Sequence, residues 1–150
     1  MNAFTLLKND HDKVAGILEK LDETTERAVK TREELFVQLK TELDIHTEIE
    51  ETIFYPELEK HDETRDITLE GIEEHRIVKE LLAELDAMAK DDEVWTAKMT
   101  VLKENVEHHV EEEEGEMFPK ARKALTEEEI EALGTRLEAA RKKQKAAISR

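Results

Sequence analysis

No cysteine occurs anywhere in this chain, which excludes disulfides, thiolate nucleophiles and iron-sulfur ligation. Any metal must be held through nitrogen and oxygen. Proline and glycine are nearly as scarce, at two and four residues, and aromatics make up 4%. The punctuation of a turn-rich sheet protein is missing, and an all-α protein is expected. No apolar run approaches the roughly 18 residues of a membrane span, and the opening MNAFTLLKNDHDK lacks the basic-then-apolar order of an export signal, so a cytoplasmic location is expected. Positive charge is also short: 23 basic against 39 acidic residues leave a net charge of -16. Such a chain repels phosphate backbones and anionic lipid, which argues against nucleic-acid and membrane partners. There is no Ser/His/Asp set, phosphate-cradling glycine loop or HExxH.

What is present is charge, 41% of residues, with apolar residues threaded through it at helical spacing. That periodic face separates a folded helical chain from a disordered one. A length of 150 residues suits one domain, with residues 1–124 as a helical bundle and 125–150 as an amphipathic helix of the same domain.

Phe4, Leu7, His11, Val14, Leu18 and Leu21 alternate steps of three and four, a narrow helix seam with a histidine built into it. Thr31 with Glu34 reads as a capping box and starts a second helix that carries Leu39, Leu43, His46, Glu50 and Ile53 until Pro56 ends or kinks it. The polar stretch 61–66 reads as a loop. A third seam holds Leu69, Ile72, His75, Val78, Leu82 and Leu85. After a break at Lys90–Asp92, where an Asp serves as N-cap, a fourth holds Trp95, Met99, Leu102, Val106, His109 and Glu113, closed by Pro119. Short links make neighbouring helices antiparallel. Thr126 and Glu129 form a second capping box before a fifth helix with a thin stripe of Ile130, Leu133 and Leu137. Its basic end, RKKQKAAISR, reads as a solvated helix terminus that complements the dipole, with docking of an acidic partner as the sharper alternative.

The stretches HTEIEETIFYP (46–56) and HVEEEEGEMFP (109–119) are variants of one phrase, and His11-Asp-Lys-Val matches His75-Arg-Ile-Val. The chain is a duplicated helical hairpin, so an up-down-up-down four-helix bundle plus a C-terminal fifth helix is expected. Residues four apart lie one above the other on a helix, so each phrase offers an imidazole and a carboxylate pointing one way. A lone seam histidine is most simply a hydrogen-bonded core residue. Four in phase with two glutamates are different, because buried carboxylates cost several kcal/mol unless neutralised. His11, His46, Glu50, His75, His109 and Glu113 are therefore expected to hold metal. Six ligands are too many for one tetrahedral ion and too few to saturate two octahedral ones, and a carboxylate can bridge, so two metals with open positions are expected. Imidazole with carboxylate suits iron, with manganese or zinc as substitutes.

Other residues fall outside the set. His108 lies about 100° from His109 and reads as flanking it, and His61 as a surface residue. Glu111–Glu114 reads as a solvated face apart from Glu113. Trp95, Met88, Met99 and Met117 read as packing. Tyr55, five residues past Glu50, sits off its face unless Pro56 distorts the helix.

These residues resemble the hemerythrin-like proteins, whose cation-binding domain has the pattern H...HxxxE...H...HxxxE, here His11, His46 to Glu50, His75, and His109 to Glu113, with similar endings at Pro56 and Pro119. The resemblance spans residues 4 to about 122. It implies a non-haem diiron centre, oxo- or hydroxo-bridged, with terminal histidines and bridging Glu50 and Glu113. Oxygen-carrying members have a second histidine one turn from the third-helix ligand, where this chain has Gly71 and Lys79. One metal should then keep an extra open position. That favours the bacterial-type, single-domain set, whose members respond to dioxygen, nitric oxide, peroxide or iron. The expected function is binding of dioxygen or a related small ligand. Alternatives are a diiron redox enzyme acting on peroxide or nitric oxide, an iron storage or sensing protein, and a zinc-stapled bundle. Storage of the ferritin kind uses Glu-x-x-His pairs, and no His here has Glu three residues before it.

Overall fold

A computed structural model describes residues 1–148 and shows five helices and no strand among them. Helix α1 spans Ala3–Asp22, capped by the Asn2 side chain, which accepts from the Thr5 N–H. Helix α2 runs Val29–Ile49, passes through a π-helical turn, Glu50–Phe54, and resumes as Tyr55–Glu59. Helix α3 spans Asp62–Ala87. Helix α4 repeats the pattern of α2, with Glu93–Glu112, a π turn at Glu113–Met117, and Phe118–Ala124; α5 is Glu127–Ile148. The first four form the up-down-up-down bundle, and α5 packs across α1 and α2.

Two helix starts follow the sequence. Asp92 Oδ1 accepts from the Val94 N–H at 2.8 Å, and Thr126 and Glu129 exchange side-chain-to-backbone bonds of 3.0 and 3.1 Å. Others do not. Thr31 lies inside α2, which begins at Val29 without a side-chain cap. Buried Arg32 stitches the two inter-helix links together, donating to the Lys90 carbonyl at 2.7 Å and to Thr24 and Thr96 hydroxyls at 2.9 and 3.1 Å. Holding it on the inner face of the first turn places Thr31 beyond the cap. The expected loop over 61–66 is helical from Asp62. Asp62 and Glu63 suit a first turn because their charge complements the helix N-terminus, and buried Thr64 donates its hydroxyl to the Leu58 carbonyl. Leu69 is exposed; the inner face before His75 is made by Thr64, Ile67, Thr68 and Gly71 instead.

Pro56 and Pro119 do not end their helices. Each sits in the first turn of a resumed α segment directly after a π turn. A proline inside an α-helix clashes with the carbonyl four residues back, and a wider turn with i→i+5 bonding relieves that clash.

Two apolar clusters sandwich the middle of the bundle. One gathers Leu7, Phe54, Tyr55, Met117, Phe118 and the α5 stripe Ile130, Leu133 and Leu137; the other gathers Val14, Leu18, Phe36, Leu43, Val78, Leu82, Trp95, Met99 and Val106. Gly134 lets α5 touch the start of α1, since a Cβ there would lie 2.3 Å from the Met1 carbonyl oxygen and 2.7 Å from Asn2 backbone carbon. The basic end of α5 turns inward as well as outward: Arg141 pairs with Asp10, and Lys145 lies 3.5 Å from Glu42. Its last two residues, Ser149 and Arg150, lie outside the described residues. Among those described, no helix is long and apolar enough to cross a membrane.

Candidate metal centre

Between the two apolar clusters, the six side chains singled out by the sequence converge. Donor atoms of His11, His46, Glu50 and Glu113 lie within 4.8 Å of one another, as do those of Glu50, His75, His109 and Glu113. Either group could hold a metal ion, and both glutamates belong to both. Glu113 reaches both ways, with Oε1 3.1 Å from His11 Nε2 and Oε2 3.1 Å from His109 Nε2. Glu50 Oε1 lies 2.9 Å from His46 Nε2 and 3.1 Å from His75 Nε2. Both carboxylates are 0% exposed.

Each imidazole is gripped from behind by a carboxylate on another helix. Nδ1 meets Glu114 for His11 (2.6 Å), Asp10 for His46 (3.0 Å), Glu51 for His75 (2.8 Å) and Glu74 for His109 (2.7 Å). An ionised carboxylate only accepts, so Nδ1 carries the proton and donates. The neutral ring then presents a lone pair at Nε2, toward the centre, which is the tautomer that metal-binding histidines require.

The inward atoms have nothing adequate to bind. His11 Nε2, His46 Nε2, Glu50 Oε2 and Glu113 Oε1 are buried without a hydrogen-bonding partner among the described residues. His11 Nε2 and Glu113 Oε1 approach to 3.1 Å yet are not oriented to bond each other. They aim at common space. Two atoms bound at right angles to one metal at about 2.0–2.2 Å sit about 3 Å apart, the spacing found here. Buried polar atoms left unpaired are costly, and a cation satisfies all four.

Without a cation, protons must do that work. Burial disfavours charge on His46 and His75, but the Glu50 carboxylate outweighs it and raises both above the usual imidazole range. For His109 burial is likewise overcome, by Glu113 and Glu74, which push it up to about 10. Burial would raise Glu113, but its contacts with neighbouring Glu50 and with the His109 imidazole hold it well below the usual carboxylate range. Glu51 and Glu74, also opposed by burial, are held low by His75 with Lys79 and by His109 respectively.

Sequence periodicity missed a seventh residue. On an ideal α-helix Tyr55 would lie about 140° from Glu50, but the π turn bonds the Tyr55 N–H to the Glu50 carbonyl and so stacks Tyr55 a single turn beyond it. Its hydroxyl donates to Glu113 Oε2 and lies 3.3–3.4 Å from His75 Nε2, His109 Nε2 and Glu50 Oε1. Asp10, Glu51, Glu74 and Glu114 were missed too. Their signal was recurrence: an acid precedes His11 and His75, and another follows Glu50 and Glu113, at corresponding positions of the two halves. His108 is 69% exposed and flanks the site, 3.5 Å from Glu74. His61 joins neither group. Trp95, Met99 and Met117 are buried packing residues, and Met88 packs on the distal cluster.

Residues 2–121 match the family model for the hemerythrin HHE cation-binding domain, and the chain belongs to that family. It is 32% identical over 143 residues to an uncharacterized protein of Mycobacterium tuberculosis, Rv2633c, covering 93% of this chain and 84% of that one. An uncharacterized hemerythrin-like protein of Schizosaccharomyces pombe is 32% identical over 90 residues, 59% of this chain and 44% of that protein. Among solved structures, an HHE cation-binding domain-containing protein from Mycobacterium kansasii, a homolog of Rv2633c, superposes with a TM-score of 0.84 at 28% identity, over 98% of this chain and 89% of that one.

Proposed function

We propose that this chain is a non-haem diiron protein that binds dioxygen, nitric oxide or peroxide at a carboxylate-bridged centre in the bundle core. His11 and His46 hold one iron, His75 and His109 the other, and Glu50 and Glu113 lie between them. The observation that carries this reading is the set of inward Nε2 lone pairs, fixed by four carboxylates behind them, facing buried oxygens that have no partner. Nitrogen and oxygen ligands together suit iron. The apolar clusters on either side exclude water and strengthen electrostatic interactions at the centre. The net charge of -16 supports a small-molecule partner rather than nucleic acid or an anionic membrane surface, and a cytoplasmic location is part of this reading.

Protein from iron-replete cells should carry two irons and near-ultraviolet charge-transfer bands that respond to azide. Anaerobic reduction followed by dioxygen, nitric oxide and peroxide in turn separates binding from turnover: return to the starting spectrum on removing the gas means binding, and irreversible oxidation with product release means catalysis. Stoichiometric zinc in place of iron contradicts the reading, and loading of many irons per chain redirects it to storage.

A further inference from the structure

A cavity of about 260 Å³ opens on the surface beside the His11/His46 half of the centre, and its walls include Phe4, Lys8, Glu114, Phe118 and Arg122. Two of these side chains connect it to the site. Phe118 is buried, packed on Phe4 and Phe54 with centroids 4.9 and 5.9 Å away, and it lies parallel to the His11 ring at 6.3 Å. Glu114 is 28% exposed and accepts from His11 Nδ1 at 2.6 Å. A single aromatic ring thus stands between the cavity and a histidine whose Nε2, like that of His46, has no partner.

The rim carries charge of the rarer sign. Arg122 lies over the Phe4 ring at 4.8 Å, and neither it nor Lys8 makes an ion pair among the described residues. In a chain with 39 acidic and 23 basic residues, these two cations set the potential of the opening against that of the whole protein. An opening of one sign with low-dielectric walls concentrates ions of the other. Glu114, the acid in the wall, turns its Oε2 to His11. The repeat did not keep this chemistry in the other half, where Ile72 stands for Lys8, Glu59 for Arg122 and Thr68 for Phe4. There the depression at His108 is lined by Glu70, Glu73, Glu74 and Glu112, which repel an anion.

We propose, resting on the diiron reading above, that the cavity between Lys8 and Arg122 is the entrance by which small monoanions reach the centre on its His11/His46 side, with Phe118 as the ring they must pass. Azide and hydroperoxide belong to this class, whereas dioxygen and nitric oxide carry no charge. Lys8 and Arg122 act on the rate of encounter with an anion, and Phe118 acts on the passage of every ligand.

Stopped-flow absorption of azide binding to the diferric protein tests this. A net charge of -16 repels azide, so association governed by net charge speeds up as salt screens it, and association through a cationic rim slows down. Slowing is expected. At about 0.1 M salt, where charges more than about 10 Å away are screened, Lys8→Glu with Arg122→Glu should lower the association rate constant about tenfold and reverse the salt effect. Arg27→Glu with Lys30→Glu, the same change of charge where α1 leads into α2, should leave it within about twofold. Nitric oxide should bind the reduced protein equally fast in both charge variants, and Phe118→Leu should speed both ligands. A natural protein whose azide association speeds up with salt, equal effects of the two charge variants, or unchanged rates in Phe118→Leu would overturn this proposal and leave the diiron reading standing. Failure of the natural protein to hold iron would overturn both.

Discussion

The two halves of the centre descend from one repeated phrase, yet their surroundings differ. In the His11/His46 half, both Nε2 atoms lack a partner, an apolar ring covers His11, and Asp10 behind His46 is clamped by Arg141 of α5. In the His75/His109 half a phenol fills the space. The carboxylates behind its histidines are steadied from the bundle surface, Glu51 by Lys79 at 2.8 Å and Glu74 by exposed His108 at 3.5 Å. Duplication preserved the side chains that point into the centre and the acid behind each histidine. Divergence acted one layer out, on Tyr55 against Phe118, Gly71 against Leu7, and the helix that covers one half.

Substitutions at the adjacent histidines should separate the halves most sharply. His109→Ala should lose the iron of its own half and most of the charge-transfer intensity, whereas His108→Ala should keep both irons; metal analysis of the two proteins side by side checks this, and equal losses would place His108 in the centre.

Metal removal should expose a pH dependence next in size. In the metal-free protein His109 is raised from 6.5 to about 10, so the stability it contributes is complete below about 6.5 and is lost as pH rises through about 10. The loaded protein needs that imidazole unprotonated and does not lose this contribution. The difference in melting temperature between loaded and metal-free forms should therefore widen from pH 6.5 to 10 and narrow in acid, where protons compete for the ligands. At neutral pH the stabilisation should reach about 4 kcal/mol when free metal exceeds its Kd roughly 1,000-fold. A gap independent of pH would show that these groups do not exchange protons for metal.

Arg141→Ala tests whether α5 distinguishes the halves. Loss of a group that orients a metal-bound histidine typically weakens binding about 10- to 100-fold, so one of two iron-binding steps should weaken by that order, with Arg141→Lys restoring part of it. Lys79→Ala, which removes a cation 42% exposed from Glu51, should change little, as surface pairs contribute about 0–1 kcal/mol. Gly134→Ala should have the smallest effect on metal and act on stability alone. Its Cβ meets backbone, which cannot swing aside, so a loss of roughly 1–3 kcal/mol is expected in urea unfolding, with iron content unchanged.

The sequence was most readable where α-helical periodicity holds. Seam spacing brings His11, His46, Glu50, His75, His109 and Glu113 together because each lies on a regular stretch or, for Glu50 and Glu113, directly after its last residue. It fails at Tyr55 because the π turn adds a residue to the repeat just past Glu50, and the proline after it was the visible hint. It fails at Leu69 because small residues, Thr68 and Gly71, form the inner face where Tyr55 and Met117 need room. The carboxylates behind the histidines are lost in a chain with 39 acids, where local pattern does not separate a solvated glutamate from one buried against a ring. Comparison of the two halves narrows the choice, since all four acids that reach the site recur at corresponding positions, although Glu48 and Glu111 recur too and stay exposed.

The central claim, two metals shared between two unlike halves, is tested most directly by anomalous diffraction at the iron edge on crystals of protein from iron-replete cells. Two peaks are predicted, one between His11 and His46 and one between His75 and His109, with Glu50 and Glu113 reaching both. A single peak, or iron only at the surface group Glu74, His108 and Glu112, would contradict it.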